Sequence, residues 1–283
     1  MKSIVLLPNP TRDSELSVTA KIAERLLTHD VSVYIEKSFA DFMPSGVIAY
    51  TDIPTEVELL IVTGGDGSVI DASVIAIDKD IPIIGVNLGK VGYLSEIDPK
   101  CIEVIDRLFT GEYKIVEKML LQATHVSGER EEVSDRLAVN DVIISHDTFL
   151  GIAEVSLENS SGDHVRYRAD GMILSTPVGS TAYSLSAGGP IIAHDVDSIV
   201  ATPICPHSFF NRSIVFSENE VIRLKNTGNP SLNVSIDGRF FATLTTGEEC
   251  VVQKASKKIK ILTFNNNNMF EALFKKMRNM EGI

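Results

Sequence analysis

The sequence predicts an α/β domain followed by a β-rich domain, with one helix after both. Three observations carry that expectation. The first ~110 residues alternate short apolar runs with helical stripes, the signature of βαβ units. From Tyr113 to Phe264 the segments become short and β-like, separated by turn signals. A final stripe, Met269, Phe270, Leu273, Phe274 and Met277, makes one face of a helix. The boundaries so drawn are 1–112, 113–264 and 265–283.

Each element has its own pattern. Ile4–Leu7 reads as a buried strand, and Leu16–Leu27 as a helix with Val18, Ile22, Ala23, Leu26 and Leu27 on one side. Val31–Ile35, Leu59–Thr63 and Ile81–Val86 are continuous apolar runs, the pattern of parallel strands covered on both faces. A helix is expected over Val69–Ile77 and another over Cys101–Phe109, the latter with Ile102, Ile105, Leu108 and Phe109 inward. The β-like segments include Leu120–Val126, Leu137–Ser145, Ala153–Glu158, Met172–Thr176, Val221–Leu224 and Lys258–Phe264. Ser161-Gly162-Asp163, Gly228-Asn229-Pro230 and Asp237-Gly238 supply turns, the last with type I′ chemistry. An antiparallel sandwich or a related β domain follows from this spacing. The last helix carries Lys275, Lys276 and Arg278 near its end and can be capped by the Asn265–Asn268 run.

Composition excludes several functions. With 44% hydrophobic and 23% charged residues among 283, the chain has the composition of a folded globular protein. A net charge of −12 argues against nucleic acid and acidic membrane surfaces as partners. No apolar run approaches the ~18 residues of a membrane-crossing helix. The apolar run after Lys2 meets Pro8-Asn9-Pro10, so a strand and turn are expected rather than a signal peptide, and the expected location is cytoplasmic. Cys101, Cys205 and Cys250 are far apart, and the six histidines are scattered, so neither a disulfide framework nor a transition-metal site is expected.

The most informative stretch is Gly64-Gly65-Asp66-Gly67-Ser68, between a strand and a helix. Its glycines permit positive φ and keep side chains away from a phosphate. A helix start beyond them aims N–H groups at an anion. The turn lacks the lysine of a Walker A motif and carries a carboxylate instead. A negative group beside phosphates suits metal-assisted or proton-accepting chemistry, hence phosphoryl transfer. The alternative is a tight connection in which Asp66 makes an Asx-type turn.

Three further stretches bear on a ligand. Ala169–Pro190 runs from Asp170 through a strand into Thr176-Pro177-Val178-Gly179-Ser180-Thr181-Ala182-Tyr183-Ser184-Leu185-Ser186 and ends in Gly188-Gly189-Pro190. Its small hydroxyl residues admit a planar base to backbone amides, though a polar loop between strands reads equally well. Asn140-Asp141 interrupts an apolar run, and its carboxylate suits the cis-diol of a ribose, unless the pair marks a bulge or a solvent-facing strand end. Asn87–Leu94, with Lys90 and Tyr93, follows a strand of the parallel sheet, where ligands bind in open α/β folds.

Together these motifs resemble the NAD kinase family. The Gly-Gly-Asp-Gly turn, the Asn-Asp pair and the Asp-Gly…Thr-Pro-x-Gly-Ser-Thr-Ala-Tyr…Gly-Gly-Pro block stand in the family's order and span nearly the whole chain. The long block is specific, whereas phosphofructokinases and lipid kinases share the glycine turn. The resemblance implies a Rossmann-like N-terminal α/β domain, a C-terminal β-sandwich-like domain and a terminal helix returning to the first. It further implies a homo-oligomer, dimer or tetramer, binding NAD between domains and across subunits. The activity implied is phosphoryl transfer from ATP, with polyphosphate as a further donor, to the adenosine 2′-hydroxyl of NAD.

By position, Asp66 matches the catalytic aspartate, and Gly64, Gly65, Gly67 and Ser68 the nucleotide-binding turn around it. Asn140 and Asp141 match the pair that holds the adenosine ribose. Thr181, Ala182, Tyr183 and Ser186 match positions near the adenine end. Asp170 matches the residue reaching the nicotinamide amide, and Tyr93 stands where phenylalanine is frequent beside the adenine. The implied cofactor is Mg²⁺, or another divalent cation, carried with ATP, and no side chain is assigned as a metal ligand. Ser68, Lys90 and Val178 depart from the frequent threonine, arginine and hydroxyl residue. Two other readings stay open: a kinase of sugar phosphates or lipids, against which Asn140–Asp141 weighs, and a dinucleotide sensor without chemistry, against which Asp66 weighs.

Overall fold

Strands that bury both faces need helices above and below, and the first ~110 residues supply both. The structure, a computed structural model, describes residues 1–89, 92, 94–146, 151–193, 195–207 and 210–264. Lys90, Tyr93 and the helix expected over 265–283 lie outside the described residues. The described chain forms two compact units, one of residues 1–117 and 259–264, the other Lys118–Lys258.

The first unit contains β1 (Ser3–Pro8), α1 (Ser17–Leu26), β2 (Ser32–Glu36), β3 (Ile48–Tyr50), β4 (Leu59–Gly64), α2 (Asp66–Asp78), β5 (Ile83–Asn87), β6 (Ser95–Ile97) and α3 (Arg107–Thr110). The strands pair in parallel in the order β5-β4-β1-β2-β3, with β6 and Ile261 added at β5. All six residues of β4 are buried, as the apolar run requires. On α1, Ile22, Ala23 and Leu26 are fully buried, with Val18 and Leu27 packed partly against the same core. The start of α1 is held from a distance. The Asp13 carboxylate accepts the N–H groups of Val18 (3.0 Å) and Thr19 (2.8 Å) and the Thr19 hydroxyl (2.6 Å). Thr19 in turn meets the Thr63 hydroxyl at 2.6 Å, which ties the helix to the end of β4.

The helix expected over Cys101–Phe109 breaks into a 3₁₀ stretch, Ile102–Asp106, and the single turn α3. β-branched Ile102, Val104 and Ile105 favour neither helix strongly, and Gly111, with φ 76°, ends it in the left-handed region.

Because the chain goes from β1 to β2 and β3 on one side and then to β4 on the other, the sheet reverses direction between β1 and β4. The carboxyl ends of those strands are where open α/β sheets bind ligands. The glycine turn begins there.

The second unit contains β7 (Lys114–Ser127), β8 (Arg130–Val133), β9 (Asp141–His146), β10 (Ala153–Glu158), β11 (His164–Ala169), β12 (Gly171–Ser175), α4 (Tyr183–Ser186), β13 (Ser198–Ile204), β14 (Ile214–Ser217), β15 (Ile222–Asn226), β16 (Ser231–Ile236), β17 (Arg239–Thr245) and β18 (Glu249–Thr263). One sheet runs β11-β10-β15-β18 with antiparallel neighbours; β7 pairs with β18 and, antiparallel, with β8. The other, β14-β13-β12-β9-β16-β17, is antiparallel throughout. One apolar core draws Val155, Leu157, Ile222, Leu224 and Val252 from the first sheet and Val142, Ile144, Met172, Leu174, Leu232 and Val234 from the second. This is sandwich packing, and with the first unit it gives the α/β plus β fold that the sequence predicts. Cys250 is buried in this core, its thiol pushed up to about 12 by burial, while Cys101 and Cys205 are exposed.

Candidate active site

The alternation of β9 and β12 decides what faces where. Val142, Ile144, Met172 and Leu174 enter the core, so Asp141, Ile143, Ile173 and Ser175 turn to the opposite face. Asp141 is 5% exposed and Ser175 fully buried, and the two stand directly opposite in the ladder. No protein group among the described residues bonds the Ser175 hydroxyl or the Asp141 carboxylate. Burial, and then the nearby charge of Asp237, push the Asp141 carboxyl up to about 7. A buried acid without a protein partner is costly unless a ligand completes it.

Asn140 precedes β9 and Asp141 opens it, so the pair lies at a strand end, but a buried one and not a solvent-facing one. Its backbone is fixed from two sides. The Asp237 carboxylate accepts the N–H groups of Val139 (2.8 Å), Asn140 (2.8 Å) and Asp141 (3.1 Å). Thr176 donates its N–H to the Asn140 carbonyl (2.9 Å) and its hydroxyl to the Val139 carbonyl (2.7 Å). A Cβ at Gly179 would overlap that Asn140 carbonyl, so only glycine fits there. Asn140 is half-buried, with its carboxamide unpartnered among the described residues.

The block after β12 folds back on itself. Ser180 Oγ donates to the Pro177 carbonyl (2.7 Å) and accepts the Ile192 N–H (3.0 Å). The Thr181 hydroxyl, 2% exposed, donates to the Val178 carbonyl at 2.9 Å. Ala182 is half-buried and Ser186 exposed, while Tyr183 opens α4 with 45% exposure. The structure thus gathers Asn140, Asp141 and Thr176–Tyr183 around one end of β12. Asp170 stands at the other end, where its N–H donates to the Ile204 carbonyl (2.9 Å) and His207 Nε2 lies 3.9 Å from its carboxylate.

In the first unit, Gly65 caps α2 with extended backbone, and its carbonyl accepts from Ser68 (2.9 Å) and Val69 (3.2 Å). None of Gly64, Gly65 and Gly67 has a positive φ, which corrects the conformational reason given for them. The other reason, space, is the one the geometry supports. A Cβ at Gly64 would overlap the Ser68 hydroxyl, and Cβ atoms at Gly65 or Gly67 would project into open space above the turn. Ser68 Oγ accepts from Asn9 Nδ2 (2.7 Å) at the end of β1, across the point where the sheet reverses. Asp66, first residue of α2, has three donors on Oδ1: the N–H groups of Leu94 (3.1 Å) and Ser95 (3.2 Å) and the Ser95 hydroxyl (3.1 Å). A Cβ at Gly92 would lie 2.6 Å from that oxygen. The carboxylate is therefore aimed by the segment leading into β6.

Three contributors escape a reading of the sequence. Asn9 looks like part of a Pro-Asn-Pro turn, Ser95 carries no motif at all, and Asp237 reads as half of a hairpin signal. An acid in an Asp-Gly turn bordering a polar strand end was the one available clue.

An oriented aspartate at a helix start, in a turn stripped of side chains, defines with this fold a phosphoryl-transferring enzyme. The chain belongs to the ATP-NAD kinase family. The model of the family's N-terminal domain matches residues 4–113 and that of its C-terminal domain residues 139–264. The chain is 37% identical over 283 residues to the NAD kinase of Natranaerobius thermophilus, with 98% of each protein covered. It is 35% identical to the NAD kinase of Thermoanaerobacter sp. strain X514, over 98% of this chain and 99% of that one. Yeast NADH kinase complexed with NADH has the same fold, with TM-score 0.84 and 24% identity over 98% of this chain and 87% of that one. An NAD kinase from Archaeoglobus fulgidus in complex with ATP gives TM-score 0.72 and 23% identity over 99% of both.

Proposed function

We propose that the chain transfers the γ-phosphoryl group of ATP to the adenosine 2′-hydroxyl of NAD, giving NADP and ADP. The observation that carries this is Asp66, held by three donors at the start of α2 where the sheet reverses. Relatives named NAD kinase and family models for both domains support it.

In this reading Asn140 and Asp141 take the ribose diol, with Thr176, Gly179 and Asp237 fixing their backbone. Thr181, Ala182, Tyr183 and Ser186 border the adenine end, and Asp170 meets the nicotinamide amide. Gly64, Gly65, Gly67 and Ser68 cradle the phosphates, and Tyr93 adds a ring beside the adenine. Asp66 orients the attacking hydroxyl and takes its proton as the new O–P bond forms and the β–γ bridge breaks. The transition state of such transfers is loose, so position and charge neutralisation matter more than base strength.

Among the described residues no three acidic, histidine or cysteine side chains stand together as a metal cage. Mg²⁺ is held by one or two carboxylates plus substrate phosphates, and the Asp66 carboxylate would be the one to offer such a ligand. Bound with the nucleotide, the ion would neutralise phosphate charge. The enzyme is read as a cytoplasmic homo-oligomer, dimer or tetramer. No helix among the described residues is long and apolar enough to cross a membrane.

The test is conversion of NAD, with Mg²⁺ and ATP, into a product that an NADP-specific dehydrogenase accepts. A polyphosphate lane defines donor breadth. NAD binding without product in any lane would favour the sensor instead.

A further inference from the structure

The Asp237-Gly238 turn closes a hairpin, yet its acid is turned inward. Asp237 and Gly238 adopt φ 49° and 75°, the left-handed pair of a type I′ turn between Ile236 and Arg239. A solvated turn acid would serve as well for that geometry. Instead, the carboxylate reaches back to three successive amides, Val139, Asn140 and Asp141. The Asp237 N–H donates in return to the Asp141 carbonyl at 3.0 Å. The buried carboxyl of Asp141 and the half-buried one of Asp237 thus meet at one short piece of backbone.

We propose that Asp237 is a positioning residue: it holds the Asn140–Asp141 clamp in place and, through its charge beside Asp141, makes NAD binding release a proton. The inference rests on the reading of Asn140–Asp141 as the ribose clamp. Three acceptor contacts from one carboxylate lock the φ and ψ of the clamp residues before ligand arrives, which reduces the ordering cost of binding. An ionised carboxylate accepts one diol hydroxyl on each of its oxygens, whereas a protonated one turns one of those oxygens into a donor, so the diol favours the ionised form. With Asp141 buried beside a second acid, the empty site favours the protonated form, so the diol must displace that proton. Asp237 is the other titratable group here: burial raises its carboxyl, against the three amides and Arg136 that favour its charge. β12 and β16, the strands flanking β9, carry no ionisable side chain. Asp237 faces Asp141, and Arg136 is the cation that acts on Asp237.

Calorimetry of NAD binding without ATP or metal, in buffers of different ionisation enthalpy, reads the proton directly. NAD titrates no group of its own between about pH 6 and pH 9. Wild-type protein should release close to one proton per NAD at about pH 6 and almost none at about pH 9. Asp237→Asn keeps a carbonyl acceptor but loses the charge and part of the amide clasp. It should bind NAD about tenfold more weakly at high pH, with the deficit shrinking toward pH 6 as Asp141 becomes easier to ionise. A deficit equal at every pH would mean a merely structural role and overturn the coupling. Should Asp237→Asn not fold, the wild-type measurement still decides, since NAD binding without proton release overturns the proposal. Asp141→Asn separates the two levels: wild-type affinity in that variant would reject the ribose clamp itself, whereas weak binding there beside normal behaviour in Asp237→Asn would reject only the role of Asp237.

Discussion

Replacing Asp141 by asparagine should make the ligand-free protein more stable while damaging its function. The ordinary carboxyl value of 3.8 is pushed up to about 7 in the fold, first by burial and then by Asp237. Between those values an unfolded chain has released the proton and the folded one has kept it. Stability therefore falls as pH rises from about 4 to about 7 and is level above. At about 1.4 kcal/mol per unit, a shift of roughly three units costs about 4 kcal/mol at pH 8. The amide is neutral at every pH and nearly isosteric, so Asp141→Asn recovers most of this, and 2–4 kcal/mol is the expected gain (about 5–15 °C in Tm for a unit of this size). At pH 4 the two proteins should melt together. NAD affinity moves the other way, by about ten- to a hundredfold, because hydrogen bonds to a charged acceptor are lost. Thermal melting at pH 4 and pH 8 gives the first quantity and calorimetric titration with NAD the second. A variant no more stable than wild type at pH 8 would refute the reasoning, for it would mean that Asp141 is not an uncompensated buried acid.

Other predictions follow from close contacts. Gly92→Ala places a Cβ 2.6 Å from Asp66 Oδ1, so kcat should fall at least tenfold with NAD affinity unchanged, as separate kcat and Kd measurements would show. Gly179→Ala drives a methyl into the Asn140 carbonyl; a loss of about 1–3 kcal/mol and a matching weakening of NAD binding are expected in melting and titration. Asp13→Ala strips the start of α1 of three hydrogen bonds and should cost about 2 kcal/mol in melting experiments, with NAD binding intact.

The sequence is informative where one physical signal dominates. β4 could be read because six buried residues in a row leave no other assignment, and α1 because its apolar positions share one face. The break at Cys101–Phe109 was less legible, since an apolar stripe does not report the poor helix propensity of β-branched residues within it. At the site, glycine spacing identified the turn, and of the two reasons it offered positive φ is absent while open space above Gly65 and Gly67 is present. Whether a glycine serves backbone torsion or close packing depends on neighbours such as Ser68 and Asn9, which only the fold brings near. The same holds for Asp66. Its residue type announced chemistry, but the donors that aim it come from Leu94 and Ser95, and sequence distance hides them. Asp237 lies still further from the clamp that it holds, 97 residues from Asn140.

The central claim is that Asp66 acts in the transfer of phosphate and not in the capture of NAD. The direct measurement is NADP formation from NAD, Mg²⁺ and ATP by Asp66→Asn beside wild type, with NAD affinity measured on the same preparations. The account predicts near-normal NAD binding and turnover lower by orders of magnitude. Turnover close to wild type in that variant would contradict it.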